Sequence, residues 1–191
     1  GLDFDNTLAR YDHVFAAEAK LEQLVSNDWK GSKTELKNEL LYSQEGELLW
    51  KRLQGRVYGP CMERATLFPG VSQFLMRCKQ RGETVYIVSH KTKYGHYDPT
   101  RTSLRKVAIA WMKLNGFFEE TRFGIPKDRI FFEMTRKEKV ERISSLNLDV
   151  FIDDLKEVFL ENGFPEINKV LFGKNSEGIN QVIICDNWND I

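Results

Sequence analysis

Two aspartates stand two residues apart in Asp3-Phe4-Asp5-Asn6-Thr7, the first spacing in this chain that suits chemistry. One carboxylate can attack an electrophile while its neighbour carries a proton to or from the leaving group. Side chains alternate along a strand, so positions i and i+2 share a face if the strand continues through Asp5. A calcium-binding loop uses similar spacing but needs a glycine and a glutamate further on, and Leu8-Ala9-Arg10 supplies neither.

Three further features follow in order. Val85-Tyr86-Ile87-Val88-Ser89 is an apolar run ending in a hydroxyl that can donate to a phosphate oxygen. Arg136, Lys137 and Lys139 lie near the start of a helix opened by Thr135. Val150-Phe151-Ile152 then leads into the adjacent carboxylates Asp153 and Asp154. Like charges that close are costly unless a cation neutralises them. Oxygen-only ligands at such a place suit Mg²⁺. At about 100° per residue, Lys139 lies ~40° from the apolar centre formed by Val140, Ile143 and Leu146. Lys137 lies ~120° away, and Arg136 is also near that face.

The elements that must position these groups alternate between strand and helix, the pattern of an α/β protein. Strands are expected at 85–88, 130–132, 150–152, 170–172 and 182–184, all short apolar runs of the kind covered on both faces. Helices are expected between them. One is opened by Pro69, one runs over about 102–114, one starts at the capping box Thr135–Glu138, and one follows Asp154. Residues 9–66 offer only helical pieces, including a second capping box at Ser32–Glu35. There Val14, Ala17, Leu21 and Leu24 set the expected buried face of the first helix, and Leu49 and Leu53 stand one turn apart. A strand ending at Asp3 should hold about five residues. Only Gly1 and Leu2 precede it, so further chain is expected before Gly1.

Composition bounds the function. With 41% hydrophobic and 29% charged residues, the 191-residue chain suits one globular domain with a small lobe. Its 28 basic and 28 acidic side chains cancel, which leaves no electrostatic footprint for nucleic acid or an anionic membrane. No stretch reaches the roughly 18–20 apolar residues of a membrane span. Cys61, Cys78 and Cys185 have no CxxC spacing and read as reduced thiols, so a cytoplasmic location is expected.

Together these residues resemble the haloacid-dehalogenase-like superfamily. Its four signatures match Asp3-Phe4-Asp5-Asn6-Thr7, Ser89, a lysine and Ile152-Asp153-Asp154, and Leu67-Phe68-Pro69-Gly70 is also typical. The resemblance covers the whole chain. It implies an α/β core, a Rossmann-like parallel sheet flanked by helices, from residues 1–8 and 67–191. A small all-helical cap would span residues 9–66. It also implies that Asp3 is the nucleophile and Asp5 the general acid/base. Mg²⁺ would be held by Asp3, the Asp5 carbonyl and Asp153, with Asp154 acting from the outer coordination shell. The family position of the basic residue, one turn into the helix before the acidic strand, selects Lys139 to offset the negative charge. Family dehalogenases lack an acid/base at the position of Asp5, and transport ATPases carry threonine there, so Asp5 implies phosphoryl chemistry.

The expected activity is Mg²⁺-dependent hydrolysis of a small phosphomonoester through an aspartyl-phosphate on Asp3. Alternatives are a phosphotransferase or mutase on the same machinery, or a non-enzymatic phospho-aspartate signalling domain. In the signalling domain the acidic pair comes early, whereas here Asp153-Asp154 comes last. Residues 90–101 make a connection about twice the usual 2–6 residues, leaving the ligand end of the sheet. Thr7 and, from that connection, His90, Lys91, His96 and Arg101 are the expected substrate contacts.

Overall fold

The computed structural model describes residues 1–173, 178–179 and 181–191. They group into two units. One comprises Gly1–Ala9, Leu67–Thr92 and Met112–Ile191; the other comprises Arg10–Thr66 and Lys93–Trp111. The sequence boundary put all of 67–191 in the core, whereas residues Lys93–Trp111 group with the helical segment. Two short strands, β1 (Ala9–Arg10) and β2 (Thr66–Leu67), pair with each other where the chain passes between the units.

The first unit is built on parallel strands: β3 (Ile87–His90), β4 (Ile130–Glu133), β5 (Val150–Asp153), β6 (Asn168–Phe172) and β7 (Ile183–Cys185). β3 pairs with β4, β5 with β6, and β6 with β7. Leu2 supplies the missing middle through parallel bridges to Ile87 on one side and Ile152 on the other. Its N–H donates to the Tyr86 carbonyl at 2.9 Å, and the Asp3 N–H donates to Ile152 at 2.8 Å. The order is therefore β4-β3-Leu2-β5-β6-β7. The chain leaves this central stub for β3 and β4 on one flank, then crosses to β5 on the other. A sheet that reverses in this way opens a crevice at the carboxyl ends of its strands. Asp3 stands at that reversal.

The five strands lie where the apolar runs placed them, within two residues. The largest shift is in β3, which starts at Ile87 and carries Ser89 and His90 inside the strand. The long connection is accordingly shorter than it reads, and a Tyr94–Ser103 bridge tightens it further. Helices α4 (Val71–Gln80), α6 (Arg136–Ser145) and α7 (Lys156–Phe159) belong to this unit, and α6 begins with both capping-box bonds formed. Val140 and Ile143 of α6 join Val88, Phe151, Val158, Phe159 and Leu171 in one buried cluster.

The second unit holds α1 (Asp12–Leu21), α2 (Lys33–Leu41) and α3 (Gly46–Tyr58), and most of α5 (Leu104–Leu114) falls within it. The Ser32–Glu35 capping box opens α2, with Leu36 and Leu40 on its buried face. In α1 the buried face is Val14, Phe15, Glu18 and Ala19, while Leu21 is exposed. The apolar spacing had placed Leu21 and Leu24 inward. Two forces turn the helix the other way. Phe15 stacks on Trp50 at 5.2 Å, and Glu18 is drawn in by two arginines, Arg56 at 2.6 Å and Arg64 at 2.5 Å. In α3, Trp50, Leu53, Gly55 and Val57 are buried. No helix among the described residues is long and apolar enough to cross a membrane.

Candidate active site

The carboxyl edge of the sheet gathers the chemistry. The Leu2 stub delivers Asp3, β3 delivers Ser89, β5 delivers Asp153 and Asp154, and the first turns of α6 deliver Lys139. One oxygen each from Asp3, Asp153 and Asp154 lies within 4.8 Å of the others. Among the described residues no other three His, Cys, Asp or Glu side chains gather ligand atoms so closely.

Lys139 is 1% exposed, and its ammonium donates to Asp3 Oδ1 at 2.5 Å and to Asp153 Oδ2 at 2.6 Å. Burial separates Lys139 from the other two basic residues at the start of α6. Lys137 is exposed beside Glu141 at 3.9 Å, and Arg136 faces Glu161 at 3.8 Å. Burial alone would lower the Lys139 pKa, but Asp153 and Asp3 outweigh it and hold the ammonium above its ordinary value. Asp153 is pushed up to about 7, first by burial and then by the charge of Asp3, against the pull of Lys139. Its other oxygen accepts from the Leu155 N–H at 2.9 Å, so the carboxylate is fixed from two sides.

Asp5 is separately held. Lys91, 3% exposed, donates to Asp5 Oδ2 at 2.8 Å and to Oδ1 at 3.1 Å. Thr7 is fully buried, with its hydroxyl 3.4 Å from both Asp3 Oδ2 and Asp154 Oδ1. Both residues were expected at the substrate. In the structure Lys91 has the Asp5 carboxylate as its neighbour and Thr7 has the acidic cluster. Ser89 is buried at the end of β3, and His90 is exposed with Nε2 2.8 Å from the Met134 carbonyl. His96 and Arg101 belong to the other unit and are exposed, and the Arg101 guanidinium lies 4.9 Å from the Tyr94 ring centre. Trp188 is fully buried, and its indole N–H reaches the Thr7 carbonyl at 3.0 Å.

Comparison with solved structures matches this arrangement to a known architecture. A HAD-superfamily hydrolase of Ehrlichia chaffeensis superposes with a TM-score of 0.54 at 14% identity, covering 99% of this chain and 91% of that one. A haloacid dehalogenase-like hydrolase of Burkholderia xenovorans gives 0.56 at 15% identity, covering 99% and 94%. The fold is that of the haloacid-dehalogenase-like hydrolases. No protein-family model matches the chain. Among curated proteins, one of Oceanobacillus iheyensis is 24% identical over 200 residues, covering 100% of this chain and 95% of its own length. Another, of Bacillus cereus, is 26% identical over 179 residues, covering 91% and 80%. Both are named "Putative nucleotidase". In this fold the crevice at the reversal of strand order is where Asp3, Asp153, Asp154 and Lys139 meet.

Proposed function

We propose that the chain is a Mg²⁺-dependent phosphatase that hydrolyses a small phosphomonoester through an aspartyl-phosphate on Asp3. The observation that carries this reading is the buried Lys139 spanning Asp3 and Asp153, with Asp154 in the same cluster. Three carboxylates around one ammonium hold negative charge in excess, and an all-oxygen donor set fits Mg²⁺. Asp3, Asp153 and the Asp5 carbonyl would bind the ion, with Asp154 behind them. Bound there, Mg²⁺ would neutralise the charge of the transferring phosphoryl group.

The chain's own residues divide the remaining work. The Asp3 carboxylate attacks phosphorus, and a new O–P bond forms as the ester P–O bond breaks. Asp5 gives its proton to the departing alkoxide, then takes one from the water that hydrolyses the aspartyl-phosphate. Phosphate leaves and Asp3 is restored. Lys139 lowers the cost of bringing a dianion to a carboxylate, and Ser89 donates to a phosphate oxygen. Lys91 keeps Asp5 in place beside the nucleophile. Residues 1–8 and 67–191, apart from the segment Lys93–Trp111 that groups with the helices, act as the catalytic core and residues 9–66 as the cap. His90, His96 and Arg101 remain our proposed contacts for substrate groups beyond the scissile phosphate.

The names of the two curated relatives support nucleoside monophosphates as the first substrates to try. Three free cysteines support a cytoplasmic setting. The decisive experiment is phosphate release from a panel of nucleotides and sugar phosphates with Mg²⁺. The expected result is turnover that EDTA stops and Mg²⁺ restores. Turnover that survives both EDTA and Asp3→Asn overturns the reading.

A further inference from the structure

Outside the four motifs, a later segment of the chain reaches into the nucleophile loop. The loop after Asp3 turns tightly, with Asn6 at a positive φ of 60° and the Leu8 and Ala9 N–H groups both donating to the Phe4 carbonyl at 3.0 Å. Two later carbonyls of the loop are taken by distant donors. Phe68 N–H reaches the Leu8 carbonyl at 3.0 Å, and the Trp188 indole reaches that of Thr7 at 3.0 Å. The hydroxyl of the same Thr7 lies between Asp3 and Asp154.

The indole is also closely packed. Its ring packs on Phe74 at 4.8 Å and Phe172 at 5.3 Å, and Phe172 meets Phe68 edge-on at 5.1 Å. Gly70, at φ +91°, allows the approach, since a β-carbon there would stand 2.7 Å from that of Trp188. A buried carbonyl deprived of its donor costs free energy, so the loop would move to find another partner. Moving the Thr7 backbone moves its hydroxyl away from the two carboxylates.

We propose that Trp188 is a positioning residue for the acidic cluster, acting through Thr7. The indole N–H fixes the Thr7 carbonyl, and the carbonyl fixes where the hydroxyl stands relative to Asp3 and Asp154. The proposal deepens the phosphatase reading and rests on it for its kinetic arm.

The test uses Trp188→Phe, which keeps an aromatic ring and removes the donor. With Mg²⁺ and a turned-over phosphomonoester, kcat should fall roughly tenfold while KM stays within about twofold, the mark of a misplaced reacting group. Thr7→Val removes the hydroxyl through which the effect is carried. Adding Trp188→Phe to it should cost less than about twofold more, because residues acting through one another are not additive. Phe74→Leu loosens the packing of the same ring without touching the N–H, and should lower Tm with kcat unchanged. An independent arm uses NMR: the amide signals of Asp3 and Asp154 should shift in Trp188→Phe and stay in place in Phe74→Leu. Multiplicative losses in the double variant, an equal loss of kcat in Phe74→Leu, or unmoved amide signals would each overturn the proposal. If the wild type releases no phosphate from any substrate, the phosphatase reading fails, and the NMR arm still decides whether Trp188 positions the cluster.

Discussion

Each unit buries a cluster of charges, and the two are opposite in composition. In the α/β unit one ammonium, Lys139, stands between two carboxylates, with a third in reach. In the helical unit one carboxylate, Glu18, stands between two guanidinium groups, Arg56 and Arg64. The difference lies in solvent. Arg56 and Arg64 keep 45% and 42% of their side chains exposed, so water shares their charge and Glu18 is the one fully buried member. Lys139, Asp3 and Asp153 are 1%, 7% and 0% exposed, and water helps none of them. The helical cluster leaves its excess positive charge to water. The α/β cluster carries excess negative charge in a dry place, an expense that folding alone does not require. Strongly perturbed groups of that kind collect where chemistry is done.

The largest effect should come from breaking the α/β cluster at Asp3, the proposed nucleophile. Asp3→Asn should reduce phosphate release by roughly 10⁴-fold or more, since an amide is not a nucleophile. Retention of a tenth of wild-type turnover would remove Asp3 from its role. Asp5→Asn should follow, slowing the chemical step by about 10²–10⁴. Its carbonyl is the proposed ligand, so the Mg²⁺ concentration giving half-maximal rate should change little. A parallel loss of metal affinity and rate would show that the side chain binds the ion.

Comparison of the clusters also explains what was legible in the sequence. Asp3, Ser89, Asp153 and Asp154 sit at strand ends, and a strand announces its end by the close of an apolar run. Helix phase, set by Val140 and Ile143, puts Lys137 off the buried side of α6, and the family position then selects Lys139 over Arg136. The fold class was readable from the same apolar patterns. Glu18 was hidden, since apolar periodicity counts only apolar residues and a glutamate paired with two arginines is buried like one. The grouping of Lys93–Trp111 with the helices was hidden too. It depends on contacts with no local signal: Gly95 against Gly55, and the Trp111 indole donating to the Ala65 carbonyl at 2.9 Å. Trp188 and Thr7 are 181 residues apart, and nothing in either neighbourhood points to the other.

In the helical cluster the expected effect is on stability. Glu18→Gln removes the charge and leaves two half-exposed arginines that water can serve, so the cost should be about 1–3 kcal/mol in denaturant unfolding. The pH dependence has a definite sign. Burial opposes ionisation of Glu18, but its bonds to Arg56 and Arg64 prevail and hold the folded pKa below the ordinary 4.5. Its contribution is therefore fully present above that value and is lost as pH falls through the folded pKa. The wild type should lead Glu18→Gln at pH 7, and the gap should close as pH falls from 4.5 through the folded pKa. A gap that persists into acid would mean that packing, not charge, holds Glu18 inside.

The smallest effect sharpens the comparison within one helix. Lys137 is two residues from Lys139 and chemically identical, yet its side chain is 76% exposed and its nearest carboxylate, Glu141, is 3.9 Å away. An exposed pair at that distance gains little Coulomb energy, loses side-chain entropy, and is screened by salt. Lys137→Ala should therefore leave Tm within about 2 °C, since alanine's helix propensity compensates for the lost pair. It should also leave kcat and KM unchanged, because no atom of Lys137 is placed among the carboxylates. The same position in the chain pattern, two residues earlier, would then carry none of the chemistry, and burial would be the property that separates a reacting lysine from a solvated one. A fall in kcat for Lys137→Ala of the size expected at the acidic cluster would break that distinction and reopen the choice of basic residue on α6.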